Sequence, residues 1–300
     1  MKTVYTLEGG ERLGKSKFLE YFEKKVRKTI RVHKLIDKSE KILVACSGGK
    51  DSTVALYLMN KIVKNRNIIV EAMHVDQSIG EYSRINRANI EKFCEEQGIK
   101  LHITSFREFF GMAQCYIKSA LHDKGINWKS CSICGVLRRY ILNKYTRDLK
   151  ATKIVTGHNL DDEAQNVLMN IFNNRMDLLA RLGPKTGVND FEGFVPRIKP
   201  LYMCKEEEVK LYSELMKFPV QYESCPCRTD SYRLLILKML DSFETSNTGT
   251  KSGIVKSYLE LSPIMKKAFS KGEVKVCKIC GEPSAGNECQ ACKILKIIKY

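Results

Sequence analysis

The 300-residue chain has no run of the roughly 18 uninterrupted apolar residues that a membrane-spanning helix needs, and this speaks against a membrane protein. Its first residues, MKTVYTLEGGERLGKSKF, lack the apolar centre of a secretory signal, so a cytosolic protein is expected. Acidic residues are in short supply: 34 Asp and Glu stand against 51 Lys and Arg, for a formal net charge of +17. One reading is a lysine-rich solvated surface. The other, favoured in a chain without a membrane anchor, is a polyanionic partner whose phosphates the excess charge neutralises. In a reducing compartment the 12 cysteines are not a disulfide framework. Eight of them fall in four close pairs. A chain of this length holds one large core with one or two satellites.

The most informative stretch is 41–53, KILVACSGGKDST. Ile42, Leu43, Val44, Ala45 and Cys46 form an apolar run too short for a helix and suited to a strand buried on both faces. The run breaks at Ser47, Gly48 and Gly49 and passes through Lys50, Asp51 and Ser52 into an amphipathic helix. Glycines bring backbone N–H groups close to a ligand, and a helix N-terminus adds free donors and the positive end of its dipole. With the Lys50 charge and the Ser47 and Ser52 hydroxyls, this makes a phosphate cradle. An ordinary glycine turn is the plainer reading. The pattern G-x-x-x-x-G-K-[ST] does not fit, because glycine and lysine stand too close.

Around this stretch, strand and helix signals alternate. Residues 11–38 carry Phe18, Tyr21, Phe22, Val26, Ile30 and Leu35 at helical spacing among basic residues. That predicts a basic amphipathic helix whose Lys24, Lys25, Arg27, Lys28 and Arg31 either pack on the core or face RNA. Further strands are expected over 68–75, 100–106 and 153–156. Helices are expected over 82–97, from 106 to about 122, over 136–149 and over 161–172. The alternation argues an α/β fold with a doubly wound parallel sheet. Ligands of such sheets bind where strands end at the switch in strand order. Cys46, Ser47, Asp76, Gly157, His158 and Asn159 stand at such ends and should converge on one crevice. Asn159 or Asp161 could alternatively serve only to cap the following helix.

The cysteine pairs suggest two different sites. Cys277, Cys280, Cys289 and Cys292 form C-x-x-C…C-x-x-C across a loop containing Gly281, Pro283, Ser284 and Gly286. Four thiolates at this spacing suit tetrahedral zinc in a closed structural site, and roughly 10–16 kcal/mol of zinc binding could hold so short a segment folded. Cys131 and Cys134 begin a helix, and Cys225 and Cys227 flank Pro226. By spacing alone these four could hold a second zinc, form a redox disulfide or ligate an iron–sulfur cluster, with zinc the default.

The string Ser47-Gly48-Gly49-Lys50-Asp51-Ser52 resembles the pyrophosphate loop of the PP-loop ATPases. Gly157-His158-Asn159-Leu160-Asp161-Asp162 resembles the matching string of their tRNA-thiolating members. Cys131-x-x-Cys134-Gly135-x-x-Arg138-Arg139 with a later Cys225-Pro226 resembles the TtcA/TtuA group of tRNA 2-thiolation enzymes, which includes the archaeal and eukaryotic cytosolic wobble-uridine thiolases. The likeness runs over nearly the whole chain, including Pro196-Arg197-Ile198-Lys199-Pro200-Leu201 and the C-terminal ribbon.

The resemblance implies ATP-dependent 2-thiolation of a tRNA uridine, with ATP, Mg²⁺, a [4Fe–4S] cluster and Zn²⁺ as cofactors. It implies that Lys50 and its loop hold the β- and γ-phosphates and that Asp51 acts through magnesium. Asp161 would sit by the reacting centre, with His158 and Asn159 lining the nucleotide pocket and Arg138 holding phosphate or AMP. Cys131, Cys134 and Cys225 would ligate the cluster through three irons, and Cys227 would be a fourth ligand or a nearby thiol. Asp76 matches the residue before a Gly-Ile-x-Gly-Tyr string, in which Ser78 here replaces a glycine. Relatives in the TtuA subgroup open with a zinc finger of their own, whereas no cysteine precedes Cys46 here.

The sulfur donor would be sulfide or a thiocarboxylated ubiquitin-like protein, and the assembly a homodimer. Three parts are expected: a basic helical segment 1–38, a catalytic domain 39–270 with the cluster site, and a zinc ribbon 271–300. A wobble uridine is the expected target, with a T-loop uridine or cytidine as alternatives within the family. From another class, the rival is a non-catalytic RNA-binding protein that has kept the fold.

Overall fold

The computed structural model describes residues 2–38, 40–186, 195–228, 232–269 and 275–299. It opens with a hairpin of β1 (Thr3–Thr6) and β2 (Arg12–Gly14), then α1 (Lys15–Val32). There follow β3 (Lys41–Cys46), α2 (Lys50–Val63), β4 (Ile69–Asp76), α3 (Gly80–Gln97) and β5 (Leu101–Ser105). Next are α4 (Phe106–Phe110), α5 (Gln114–Asp123), α6 (Ser130–Asp148), β6 (Lys153–Val155), α7 (Leu160–Phe172), α8 (Met176–Leu179) and β7 (Arg197–Ile198). The C-terminal third holds α9 (Glu206–Met216), a 3-10 turn (Pro226–Arg228), α10 (Tyr232–Ser246) and α11 (Thr250–Phe269). A short hairpin, β8 (Lys275–Val276) and β9 (Pro283–Ser284), leads to α12 (Gln290–Lys299).

Five strands make one parallel sheet in the order β5-β4-β3-β6-β7. The chain winds outward from β3 to β5, then returns to β6 on the other side, so strand order switches between β3 and β6. That is the doubly wound sheet expected from the sequence. Along β3 the burial alternates between two helical layers. Ile42, Val44 and Cys46 face a core shared with α1, α2, α3 and α9, while Leu43 faces one built with α5, α6 and α12. Both layers exclude water, so the strand reads as a continuous apolar run. A third, smaller core joins α7 to α10 and α11 through Leu160, Ala164, Ile236, Leu240 and Val255.

Some element boundaries differ from the sequence expectation. Residues 12–14 form a strand, because Gly10 (φ +84°) turns the chain back on itself. The first helix stops at Val32; Lys34 is left-handed (φ +47°) and Leu35 folds into the core. Its basic residues divide: Lys25 turns inward to Glu208 (2.7 Å, carboxylate 1% exposed), while Lys24, Arg27, Lys28 and Arg31 face outward. The stretch after β5 is two helices, because Gly111 (φ +76°) ends α4. The Ser105–Glu108 capping box starts that short helix. The expected domain boundaries fall beside Ser39 and within 270–274, outside the described residues.

Phe22 of α1 is fully buried and stacks on Tyr212 of α9 at 4.7 Å, so the first helix shares the main core. Phe22→Ala should lower the unfolding free energy of the whole chain by about 3–5 kcal/mol in urea titrations. A loss under about 1 kcal/mol would mean that α1 packs as a detachable segment.

Candidate active site

The loop 47–49 leaves β3 and delivers Lys50 to the first position of α2. Gly48 has φ +84°, and a side chain there would collide with the Asn86 backbone of α3, since an added Cβ would lie 2.3 Å from its carbonyl oxygen. Gly49, in extended geometry, caps α2. The loop is braced from within: the Ser47 N–H donates to Ser52 Oγ (3.0 Å), and Ser52 Oγ donates to the Gly49 carbonyl (3.1 Å). Gly157, beyond β6, lies against the peptide joining Asp51 to Ser52, where a Cβ would come within 2.6 Å of the Asp51 carbonyl carbon. The ends of β3 and β6 therefore meet backbone to backbone, at the switch in strand order.

Asn159 reads as both cap and site residue. Its side chain accepts the Asp162 N–H (3.0 Å), closing a capping box on α7, and its Nδ2 donates to Asp51 Oδ1 (3.0 Å). Lys50 Nζ bridges Asp51 and Glu206, each at 3.0 Å. Beside them opens a crevice of about 300 Å³ lined by Ser47, Asp51, Ser52, Gln77, Gly157, His158 and Asp162. Arg138, Arg139, Arg197 and Arg233 line it too. Burial, then the neighbouring Arg139, pulls Arg197 down to about 10. Burial and the Arg138 charge lower Arg139 likewise. Guanidiniums crowded in this way favour an anion between them. Burial would raise the Asp162 carboxyl, but the Arg233 guanidinium at 2.8 Å holds it below its usual value. Desolvation keeps His158 a neutral imidazole, bonded through Nδ1 to Thr156 Oγ1 (2.9 Å).

Two expected site residues are placed differently. Asp161 does not line this crevice: its oxygens accept the Glu206 N–H (2.8 Å) and Lys251 Nζ (2.5 Å), and Asp162 faces the crevice in its stead. The reason is helical phase, since adjacent residues point about 100° apart. Asp76 closes the turn after β4, accepting the Ser78 N–H at 2.6 Å, and Gln77 is the residue that lines the crevice. Ser78 itself sits at φ +57°, so the left-handed turn persists without its glycine. Arg233 and Glu206 were not singled out from the sequence. Neither sits in a recognisable string, and only the packing of α9 and α10 brings them here.

The inner cysteines lie next to the crevice. Cys131 and Cys134 occupy the start of α6, the helix that carries Arg138 and Arg139 one turn further on. The 3-10 turn after Cys225 packs on the same helix, with Cys131 Sγ 3.8 Å from the Cys227 carbonyl oxygen. A bridge between the Gly49 and Gln221 backbones ties this segment to the phosphate loop. Burial pushes the Cys134 thiol up and Cys225 up to about 11, with the neighbouring thiols adding to both. Soft donors gathered in this way fit an iron–sulfur cluster.

Among the described residues, the only group of metal-ligating side chains within 4.8 Å of one another is Cys277, Cys280, Cys289 and Cys292. Tetrahedral zinc needs that closeness, and the C-terminal set fits it. Burial opposes ionisation of Cys277, but N–H groups including that of Cys289 (3.3 Å) bring its thiol below the usual value. The inner thiols are spread more widely than one ion spans.

Comparison with known proteins identifies the family. Residues 19–222 match the PP-loop domain family. The tRNA-5-methyluridine(54) 2-sulfurtransferase of Pyrococcus horikoshii is 37% identical, over 92% of this chain and 85% of that protein. The chain belongs to the PP-loop tRNA 2-thiolation family. tRNA sulfur transfer is the activity for which this enzyme family's members are named, and its PP-loop domain is an ATP-binding one. The solved structure of the U34-tRNA thiolase NcsA from Methanococcus maripaludis, with its [4Fe–4S] cluster, is similar with a TM-score of 0.81 and 32% identity. The match covers 99% of this chain and 93% of that one. The cytoplasmic tRNA 2-thiolation protein 1 of Caenorhabditis elegans is 31% identical, over 93% of this chain and 73% of its own length. Among the described residues, no helix of this PP-loop protein is long and apolar enough to cross a membrane.

Gly157→Ala should part the β6 end from the phosphate loop. The measurement is ATP affinity by calorimetry, expected to fall at least about tenfold, with zinc content unchanged. Unaltered ATP affinity would show that this backbone contact does not shape the site.

Proposed function

We propose that this protein is an ATP-dependent tRNA 2-thiouridine synthetase acting on the wobble uridine. The observation that carries the reading is α6, which presents Cys131 and Cys134 at its start and Arg138 and Arg139 in the crevice beside the phosphate loop. One rigid helix thus links a site for activating an oxygen to a site for delivering sulfur. The likeness to a U34-tRNA thiolase over nearly the full length of both chains supports the choice of nucleotide. The Pyrococcus relative, named for position 54, makes the T-loop uridine the second reading.

In this reading Lys50, released from Glu206, neutralises the triphosphate, and the N–H groups of the loop and the Ser47 and Ser52 hydroxyls cradle it. Asp51, oriented by Asn159, would hold Mg²⁺. His158 stays neutral and lines the nucleotide pocket. The uridine C2 oxygen attacks the α-phosphorus, pyrophosphate leaves, and Arg138 and Arg139 balance the charge on the adenylate. Cys131, Cys134 and Cys225 would hold a [4Fe–4S] cluster, which would supply a binding site for sulfur. The donor's sulfur attacks C2, the bond from C2 to its old oxygen breaks, and AMP departs with that oxygen. Sulfide or a thiocarboxylated ubiquitin-like protein is the donor, a homodimer the assembly and the cytosol the setting. Extrusion of the base needs some unstacking of the tRNA.

Anaerobically purified protein should be brown, and Cys131→Ala, Cys134→Ala or Cys225→Ala should each remove the charge-transfer absorption while keeping one zinc per chain. Colourless protein with two zinc ions per chain would defeat the iron assignment. Lys50→Ala should cut 2-thiouridine formation by at least about a hundredfold, read by nucleoside mass spectrometry of tRNA thiolated in vitro. Fragment mapping would locate the sulfur, and a product confined to position 54 would overturn the wobble assignment.

A further inference from the structure

The far end of the molecule from the crevice carries a second basic site. A groove of about 770 Å³ lies between α1 and the end of α2, walled by Lys24, Arg27, Lys28, Arg31, Lys34 and Arg66. All six are exposed, and its floor is apolar, made by Ile30, Ile36 and Ile62. Lys24 pairs with Glu20 at 2.6 Å. Among the described residues the other five make no ion pair. The one carboxylate in the groove, Asp37, is bonded to Lys153 Nζ at 2.7 Å, and this hydrogen bond holds it below its usual value. Five uncompensated cations converging from three segments on a concave surface repel one another and focus a positive field. Scattered solvated lysines do not need a concavity, and a polyanion relieves the repulsion.

The position of the groove narrows the ligand. Asp37 and Ile36 precede β3, and Arg66 follows α2, whereas the phosphate loop joins the other ends of these two elements. The six residues of β3 span roughly 20 Å, and the 14 of α2 span about the same, so groove and crevice lie about that far apart. A mononucleotide cannot reach both. A folded tRNA can, with its backbone in one and its target base in the other. From the groove's charge, concavity and distance, and on the thiolation reading above, we infer that this groove is a second docking site for the tRNA phosphate backbone, engaging a part of the molecule remote from the modified nucleotide.

The test is a triple variant, Arg27→Ala/Arg31→Ala/Arg66→Ala, set beside Arg27→Lys/Arg31→Lys/Arg66→Lys. Binding of full-length tRNA and of an isolated anticodon stem-loop is measured across a salt series, along with ATP affinity and iron and zinc content. The alanine variant should bind full-length tRNA about 10- to 100-fold more weakly and lower the slope of log affinity against log salt by about 2–3. Stem-loop binding, ATP affinity and metal content should stay within twofold, and the lysine variant should retain most of the tRNA affinity. Unchanged affinity and slope would overturn the docking site. So would an equal loss for the stem-loop, which would place the groove beside the target. Lost thiolation with tRNA binding intact would also overturn it and point to an acidic protein partner. Wild-type protein that binds tRNA in this salt-dependent way but never yields 2-thiouridine would defeat the thiolation reading and leave the groove standing.

Discussion

The site depends on two places where backbone meets backbone with no room for a side chain. Gly48 lies under the Asn86 carbonyl of α3, and Gly157 lies against the Asp51–Ser52 peptide. Neither contact is strong in itself. Each removes the gap that a Cβ would impose, and so places the first turn of α2, the loop after β6 and the start of α7 within hydrogen-bond reach. The Asn159–Asp51 bond follows from that closeness, and Asn159 is itself fixed by its cap on α7. The phosphate loop is thus held in shape from the protein side before any ligand arrives. This is how a site dominated by charge neutralisation avoids reorganising during the reaction.

Helix α6 carries that order to the sulfur side. Its inner face, Ile133, Leu137 and Ile141, is buried against the sheet and against α5 and α12, so its phase is set by the core. With the phase set, Cys134 and Arg138 follow one another on adjacent turns. The ribbon helix α12 packs Ile294 and Ile298 into the same layer, and a buried Glu282 pairs with Arg147 of α6. The C-terminal metal site accordingly reads as a buttress for the helix that carries the chemistry, and not as a tethered satellite.

Much of this was legible in the chain. The buried strand 42–46 announced itself by an unbroken apolar run, because both of its faces are covered. The glycines of 48 and 157 stood in strings specific enough to point to a family. What was not legible came from phase and from distant packing. Asp161 and Asp162 are adjacent in sequence, and family likeness favoured the first. Yet Asn159 caps α7 and takes Asp162 as its reciprocal partner, so the second is the one brought beside Asp51 and His158. An Asn-x-x-Asp capping pattern was there to be weighed. Nothing comparable marked Arg233 or Glu206, whose roles exist only once α10 and α9 have docked. Lys25 is a like case: among the similar cations of α1, only the position of Glu208 decides which one turns inward.

The two thiol sets show how one residue type supports different metal chemistry through spacing and surroundings. A single zinc ion holds four sulfurs at about 2.3 Å from a common centre, so the sulfurs must nearly touch. Cys280 and Cys289 do, at 3.7 Å, within a set where N–H groups point at Cys277 and Cys289. An ion held by all four would have no ligand position left for anything else, which suits a structural site. The inner thiols are wider apart, come from two segments of chain, and lie beside the guanidinium of Arg138. Desolvation raises the Cys134 and Cys225 thiols above their usual range, so a charge-compensating metal group would favour their thiolates. A larger inorganic cluster suits that arrangement better than a single ion, and the crevice adjoins it. On the proposed function, the cysteines beside the crevice are the set with room for a reaction, and the tightly clustered set suits a role in holding the fold together.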